Sequence, residues 1–305
     1  MLLSFGRFGP VMDNGRVSAE PAATSELVNE HAWQAPAPRL RKYVDSYVGY
    51  RQAGAEPALH RGLPSPSMTL IFTLDEPLVM AAHPDPAQPP GIFPTLVGGL
   101  HSAPALISHD GRQAGVQLAV SPLGARVLLG VPAGELAGFD LGAEELLGPL
   151  AAQIRDRLHG ADSWPERFAI LDTALLARLG MADRADGISA ETGYAWRRLL
   201  DTRGLAPVRE LAAETGWSER HLRVRFQQQV GLAPKAAARV IRFDNARREL
   251  QRRAAAGRSL ALADLAASFG YFDQAHLDRE FGLLAGCPPT RWVAEEFRNF
   301  QAADV

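Results

Sequence analysis

Cysteine is almost missing from this 305-residue chain, in which Cys287 stands alone. That excludes an internal disulfide and any zinc cluster built on several cysteines. No apolar run approaches the roughly 18 residues that a membrane span needs. The opening stretch MLLSFGRFGPVMDNG has neither the basic leader nor the long apolar core of a signal peptide. A cytoplasmic protein without a membrane partner is the expectation. The chain also lacks a phosphate-binding loop, a Gly-x-Ser-x-Gly elbow and a His-Glu-x-x-His helix. The expectation is therefore no enzyme activity and no cofactor. Lysine is scarce too, with only Lys42 and Lys235 among 32 basic residues. That bias covers the whole chain and points to no particular site.

What is present suffices for two domains with their own cores, at 47% hydrophobic and 22% charged residues. The net charge of −2 conceals an uneven distribution. Residues 1–189 hold 14 basic against 20 acidic side chains, a net of −6. Residues 190–260 hold 15 against 7, a net of +8, and residues 261–305 hold 3 against 7, a net of −4. A basic block between acidic ones is either a solvated helical face or a local footprint for a polyanion.

Texture divides the chain further. Residues 1–30 show no periodicity and read as a loose terminus. Residues 31–183 read as a β-rich barrel or sandwich with a helical extension. In it SMTLIFTL has strand length, and ALISHDGRQAGVQLAV places two apolar runs around Asp110-Gly111, a hairpin signal. HPDPAQPPGIFP reads as loop. SPLGARVLLG offers a Ser N-cap, an early Pro and a terminating Gly, the marks of a helix. EELLGPLAAQIRDRL has helical spacing, and SWPERFAILDTALLARL opens on a capping box of Ser163 and Glu166. Arg184–Gly187 reads as a linker, and residues 190–300 read as short helices throughout. The fold class expected is α+β, with an all-α C-terminal domain.

That C-terminal domain repeats a phrase. LAAETGWSERHLRVRF begins at Leu211, and LAASFGYFDQAHLDREF begins at Leu265. Ala212 and Ala266 are small enough for two helices to cross closely, and Gly216 and Gly270 permit a left-handed turn four residues on. Ser218 and Asp273 are natural N-caps for the second helix of each unit. Leu222 with Phe226, and Leu277 with Phe281, fall at i,i+4 and form a buried stripe. The second copy carries one extra residue after its glycine. Burying those pairs turns Arg220, His221 and Val224 outward with Arg223 on the flank, and likewise Gln274, Ala275, His276 and Arg279. Arginine, glutamine and histidine carry the donors that read base edges and phosphates. Between the copies, PKAAARVIRFDNARRELQRR predicts a helix of roughly 30 Å, close to the spacing of about 34 Å between successive major grooves. Its Arg239, Arg242, Arg247 and Arg248 either meet phosphates, one or two of them, or lie on a solvated face.

Residues 194–297 resemble the DNA-binding domain of the AraC/XylS family of transcription regulators. The resemblance rests on GYFDQAHLDREF followed by AGCPPTRW, on GLAPKAAARVIRFDNAR between the units, and on YAWRRLL before the first. It implies seven helices forming two helix-turn-helix units joined by a long helix. Arg220, His221, Arg223 and Val224 would lie in one groove of double-stranded DNA, and Gln274, Ala275, His276 and Arg279 in the next. Val224 departs from the family's usual arginine, whereas Arg279 keeps it. The resemblance further implies a sensor domain that is cupin-like in outline, a small-molecule effector, and RNA polymerase or a second copy of the chain as partners. The alternative is a cupin-type metalloenzyme fused to a DNA reader, drawing on His60, His83, His101 and His109. A repair regulator of the alkylation-response kind is excluded by the solitary Cys287.

Overall fold

Alternating apolar and polar side chains, as along Val44–Ala53 and Gln113–Val120, are what strands with one buried face require. In the computed structural model, which describes residues 28–181 and 187–301, ten strands form on this pattern. They are β1 (Val28–Gln34), β2 (Val44–Ala53), β3 (Ala58–Gly62), β4 (Met68–Thr73), β5 (Leu78–Ala82), β6 (Gly91–Phe93), β7 (Thr95–Gly98), β8 (Ala105–His109), β9 (Gln113–Val120) and β10 (Asp140–Leu141). They make a six-stranded sheet in the order β1-β2-β9-β4-β7-β10 and a four-stranded sheet in the order β3-β8-β5-β6. Every recorded pairing is antiparallel.

Tyr47, Leu70, Phe72, Leu118 and Val120 point from the larger sheet into the core. Beyond the strands come helices α1 (Glu144–Leu147), α2 (Pro149–His159) and α3 (Trp164–Met181). Phe168 of α3 stacks on Tyr47 at 5.9 Å, and Asp172 accepts hydrogen bonds from the Tyr47 hydroxyl and the Ala37 N–H, each at 2.9 Å.

Four local expectations need correction. Asp110-Gly111 is a turn, with Gly111 at φ +97°, but it does not close a hairpin. Chain leaving β8 crosses into the other sheet, where β9 pairs with β2 and β4. Local turn chemistry is the same in either case, and the partner strands decide. The proline stretch is not all loop, because it ends in β6 at the edge of the smaller sheet, where prolines are tolerated. Ser121 does cap, accepting the Leu123 N–H at 3.3 Å. From there the chain makes a 3₁₀ turn and then a π-helical turn over Ala125–Leu129, ended by Gly130 at φ +89°. Gly148, at φ +57°, divides EELLGPLAAQIRDRL into α1 and α2. The terminal segment read as 1–30 overlaps β1 at residues 28–30, and the rest of it lies outside the described residues, as does most of the expected linker.

The C-terminal part has the seven helices that the resemblance implied: α4 (Ala190–Asp201), α5 (Val208–Thr215), α6 (Glu219–Val230), α7 (Pro234–Ala255), α8 (Leu262–Ser268), α9 (Gln274–Ala285) and α10 (Pro289–Gln301). Its two halves are packed differently. Trp196, Leu222 and Phe226 of the first half continue the apolar cluster that holds Leu118, Leu123 and Leu136 of the β-rich part. Phe243, Leu277, Phe281 and Trp292 of the second half form a cluster of their own.

Candidate nucleic-acid interface

Each helix-turn-helix unit is shaped by the small residues singled out above. Ala212 and Ala266 are buried at the helix crossings, and Gly216 and Gly270 both sit at φ +71°. Such a backbone is strained for any side chain but open to glycine. Ser218 accepts the His221 N–H at 3.2 Å, and Asp273 accepts the His276 N–H at 2.7 Å. Two of the orphan donors at the starts of α6 and α9 are thereby satisfied. Leu222, Phe226, Leu277 and Phe281 are fully buried. Gly231 and Gly286, again left-handed, end the two helices, and Pro234 and Pro289 begin the next.

With those faces buried, Arg220, His221, Arg223 and Val224 are exposed on α6. On α9, Gln274, Ala275 and Arg279 are exposed and His276 is half-buried. The histidines are partly structural. His221 meets Trp217 edge-on at 4.7 Å, and His276 meets Tyr271 edge-on at 5.4 Å. His276 also accepts the Phe272 N–H through Nδ1 at 3.2 Å. The two helices differ in charge. α6 carries three arginines and one glutamate, whereas α9 carries one arginine, one aspartate and one glutamate.

Helix α7 joins the units as a single run of 22 residues, roughly 33 Å long at the usual rise. Most of its arginines have internal partners. Arg239 forks onto Glu280 of α9 at 2.8 and 3.0 Å, and Arg247 and Arg248 both donate to the buried Asp244. Arg242 lies over the Tyr271 ring at 5.7 Å. Of the four, Arg248 keeps most of its side chain exposed. Sequence left phosphate contact and a solvated face both open for these arginines and did not reveal the carboxylates that engage three of them.

The β-rich part reaches both units. A short turn at Ala133–Leu136 lies against the last turn of α6. A Cβ on Gly134 would run into the Gln228 carbonyl oxygen, and one on Gly231 would lie 3.0 Å from the Ala133 carbonyl oxygen. Contact with the second unit includes the ion pair of Arg61 of β3 with Glu295 of α10, while Leu63 packs on the cluster beneath α9 and Pro104 lies beside Gly286. None of this docking was anticipated from sequence, and no local signal marks it.

The histidines of the β-rich part are engaged internally. His83 is buried and its Nδ1 lies 2.7 Å from Asp140 of β10. His101 Nδ1 donates to the Ala103 carbonyl, and the rings of His60 and His109 lie 5.8 Å apart. Among the described residues no three His, Cys, Asp or Glu side chains group as metal ligands, and no helix is long and apolar enough to cross a membrane. A cavity of about 360 Å³ opens between the two parts, lined by Lys42, Tyr43, Leu123, Ile188, Ser189 and Arg197 among others.

Residues 211–295 match a family model described as a helix-turn-helix domain, and residues 34–141 match one described as a domain of unknown function. No curated protein matches the chain. Among solved structures, ToxT from Vibrio cholerae O395 is 9% identical with a TM-score of 0.47, over 81% of this chain and 96% of that one. An apo ToxT variant with one lysine replaced by alanine, from V. cholerae strain SCE256, is 8% identical with a TM-score of 0.49, over 81% and 96%. The AraC-like transcriptional activator CuxR is 14% identical with a TM-score of 0.29, over 75% and 89%.

Proposed function

We infer, from the premise that the C-terminal part of the chain is an AraC-type helix-turn-helix domain and the protein a DNA-binding regulator, that it reads specific duplex DNA with two helices in successive major grooves. In this reading Arg220, His221, Arg223 and Val224 of α6 face one groove, and Gln274, Ala275, His276 and Arg279 of α9 face the next. The observation that carries it is the duplicated unit itself. Both copies expose the same helix face, and α7 separates them by a length close to the groove repeat of about 34 Å. Charge supports an unequal division, in which α6 supplies most of the phosphate attraction and α9 contributes more through shape and direct contact.

Residues 31–183 serve as sensor and residues 190–300 as reader. An effector in the cavity beside Lys42 and Arg197 would touch both at once, and the two cations suit an acidic group. Contacts to RNA polymerase and to a second copy of the chain belong to the same reading, and the protein acts by binding rather than by catalysis.

The test is Arg279→Ala in the full chain. Specific binding should weaken by about 1–3 kcal/mol, the usual cost of one lost base contact, with unchanged circular dichroism. Affinity of the unaltered protein should fall steeply as salt rises. Equal affinity of both proteins for the selected site would remove Arg279 from the reading surface.

A further inference from the structure

The extra residue in the second copy can be identified by its ring contacts. Trp217 follows Gly216 and meets His221 edge-on; Tyr271 follows Gly270 and meets His276 edge-on. Ser218 and Asp273 then cap equivalent helices. The inserted residue is therefore Phe272, which has no counterpart in the first unit. It is 93% exposed, more than any other large apolar side chain among the described residues.

Nothing in the fold accounts for that exposure. Phe272 occupies the position just before an N-cap, where an apolar side chain commonly packs on the fourth residue of the helix. That residue is Leu277, which is fully buried beside Phe281 in the cluster beneath α9. The ring is left in solvent while its backbone is held. The Phe272 N–H donates to His276 Nδ1, and the adjacent Asp273 caps the His276 N–H. With the backbone already held, only the side-chain rotors of Phe272 need be ordered on contact.

Its location identifies the partner. Phe272 stands at the N-terminal end of α9, one residue before the N-cap Asp273 and ahead of the exposed Gln274 and Ala275, and that end of a recognition helix is the one that enters the groove. The helix behind it has one arginine against two carboxylates, so charge contributes little there and an apolar contact counts for more. The major groove offers one apolar base feature, the 5-methyl group of thymine. We propose that Phe272 is a specificity-determining residue of the second reader, laying its ring against a thymine methyl. The proposal rests on the DNA-regulator reading and extends the reading surface beyond α9 itself.

The experiment selects binding sites from a randomised duplex library with the full-length protein, Phe272→Ala, Phe272→Leu and Arg279→Ala. The unaltered protein should enrich a two-part site with a thymine in the half that Arg279→Ala also affects. Phe272→Ala should lose the preference at that thymine and bind the selected site about tenfold more weakly, with an unchanged salt slope. Phe272→Leu should retain part of it. Replacing that thymine by uracil, which lacks only the methyl group, should weaken the unaltered protein several-fold and leave Phe272→Ala indifferent. The loss on uracil is read on the unaltered chain and so does not depend on any variant folding. If the unaltered protein enriches no sequence, the regulator reading falls and takes this inference with it. If Arg279→Ala changes the site while Phe272→Ala and the uracil duplex do not, this inference alone is overturned.

Discussion

The two helix-turn-helix units share a plan and differ in what holds them. In the first, Leu222 and Phe226 of α6 belong to the same apolar cluster as Leu118 and Leu123 of the β-rich part. In the second, Leu277 and Phe281 of α9 close a separate cluster with Phe243 and Trp292. Attachment of that second unit to the β-rich part is narrower, by the Arg61–Glu295 ion pair and Leu63. A continuous core transmits strain because it is close-packed, whereas a single ion pair near the surface typically contributes about 1 kcal/mol or less. A change in the β-rich part should therefore reach the first helix-turn-helix unit more directly than the second.

The severest way to break that comparison is to empty each core in turn. Phe226→Ala and Phe281→Ala each remove a fully buried ring and should cost about 3–5 kcal/mol. The consequences should differ in extent. Phe226→Ala should expose the β-rich part to proteolysis along with α4–α6, whereas Phe281→Ala should release α8–α10 and leave the strands protected. Equal spread of damage in both variants would show that the cores are mechanically one.

A gentler test works at the contact between Ala133–Leu136 and α6. Gly134→Ala places a methyl group against the Gln228 carbonyl oxygen, backbone that cannot swing aside, and overpacking of this kind costs about 1–3 kcal/mol. Hydrogen exchange should rise in the last turn of α6 and stay constant in α9. Gly282→Ala on α9 is the matching control, because a Cβ there meets nothing within 4 Å and should be neutral or stabilise by up to about 1 kcal/mol. Should exchange in α6 be unaffected by Gly134→Ala, the close seating of the two parts would be refuted.

Sequence carried the helix-turn-helix units almost entirely, because what shapes them is local. The left-handed glycines, the caps at Ser218 and Asp273, and the i,i+4 pairs all lie within a few residues of one another. The β-rich part was legible in its strands and not in their partners. Asp110-Gly111 signals a turn whether the chain reverses within one sheet or crosses to the other, and only pairing with β2 and β4 decides. His83 was readable as a polar or core histidine, but its partner Asp140 lies 57 residues away. The second copy's extra residue was visible in the sequence, but only the ring contacts identify it as Phe272, and only its exposure and the prior commitment of Leu277 give it significance.

The smallest expected effect concerns the narrower attachment and arises from protonation. Burial, and the neighbouring His109, push the His60 imidazole down to about 4, and burial lowers His109 as well. Unfolded, His60 titrates near its ordinary value of about 6.5. The folded protein then binds fewer protons than the unfolded chain between these values, so this contribution to stability is complete above pH 6.5 and declines as pH falls toward 4. His60 lies on β3 opposite Ile107 of β8, beside the Arg61 that pairs with Glu295. Its charging should loosen the strand that anchors the second unit before it disturbs the first. The loss should be on the order of 1 kcal/mol, since the ring is only partly shielded from water. Thermal unfolding of the unaltered protein and of His60→Gln, followed from pH 7 to pH 4.5, measures it. The unaltered protein should lose the greater share of its stability, and parallel curves would mean that His60 does not sense pH. Exchange in α10 rising with acid ahead of α6 would place that effect at the second helix-turn-helix unit, where the attachment is thinnest.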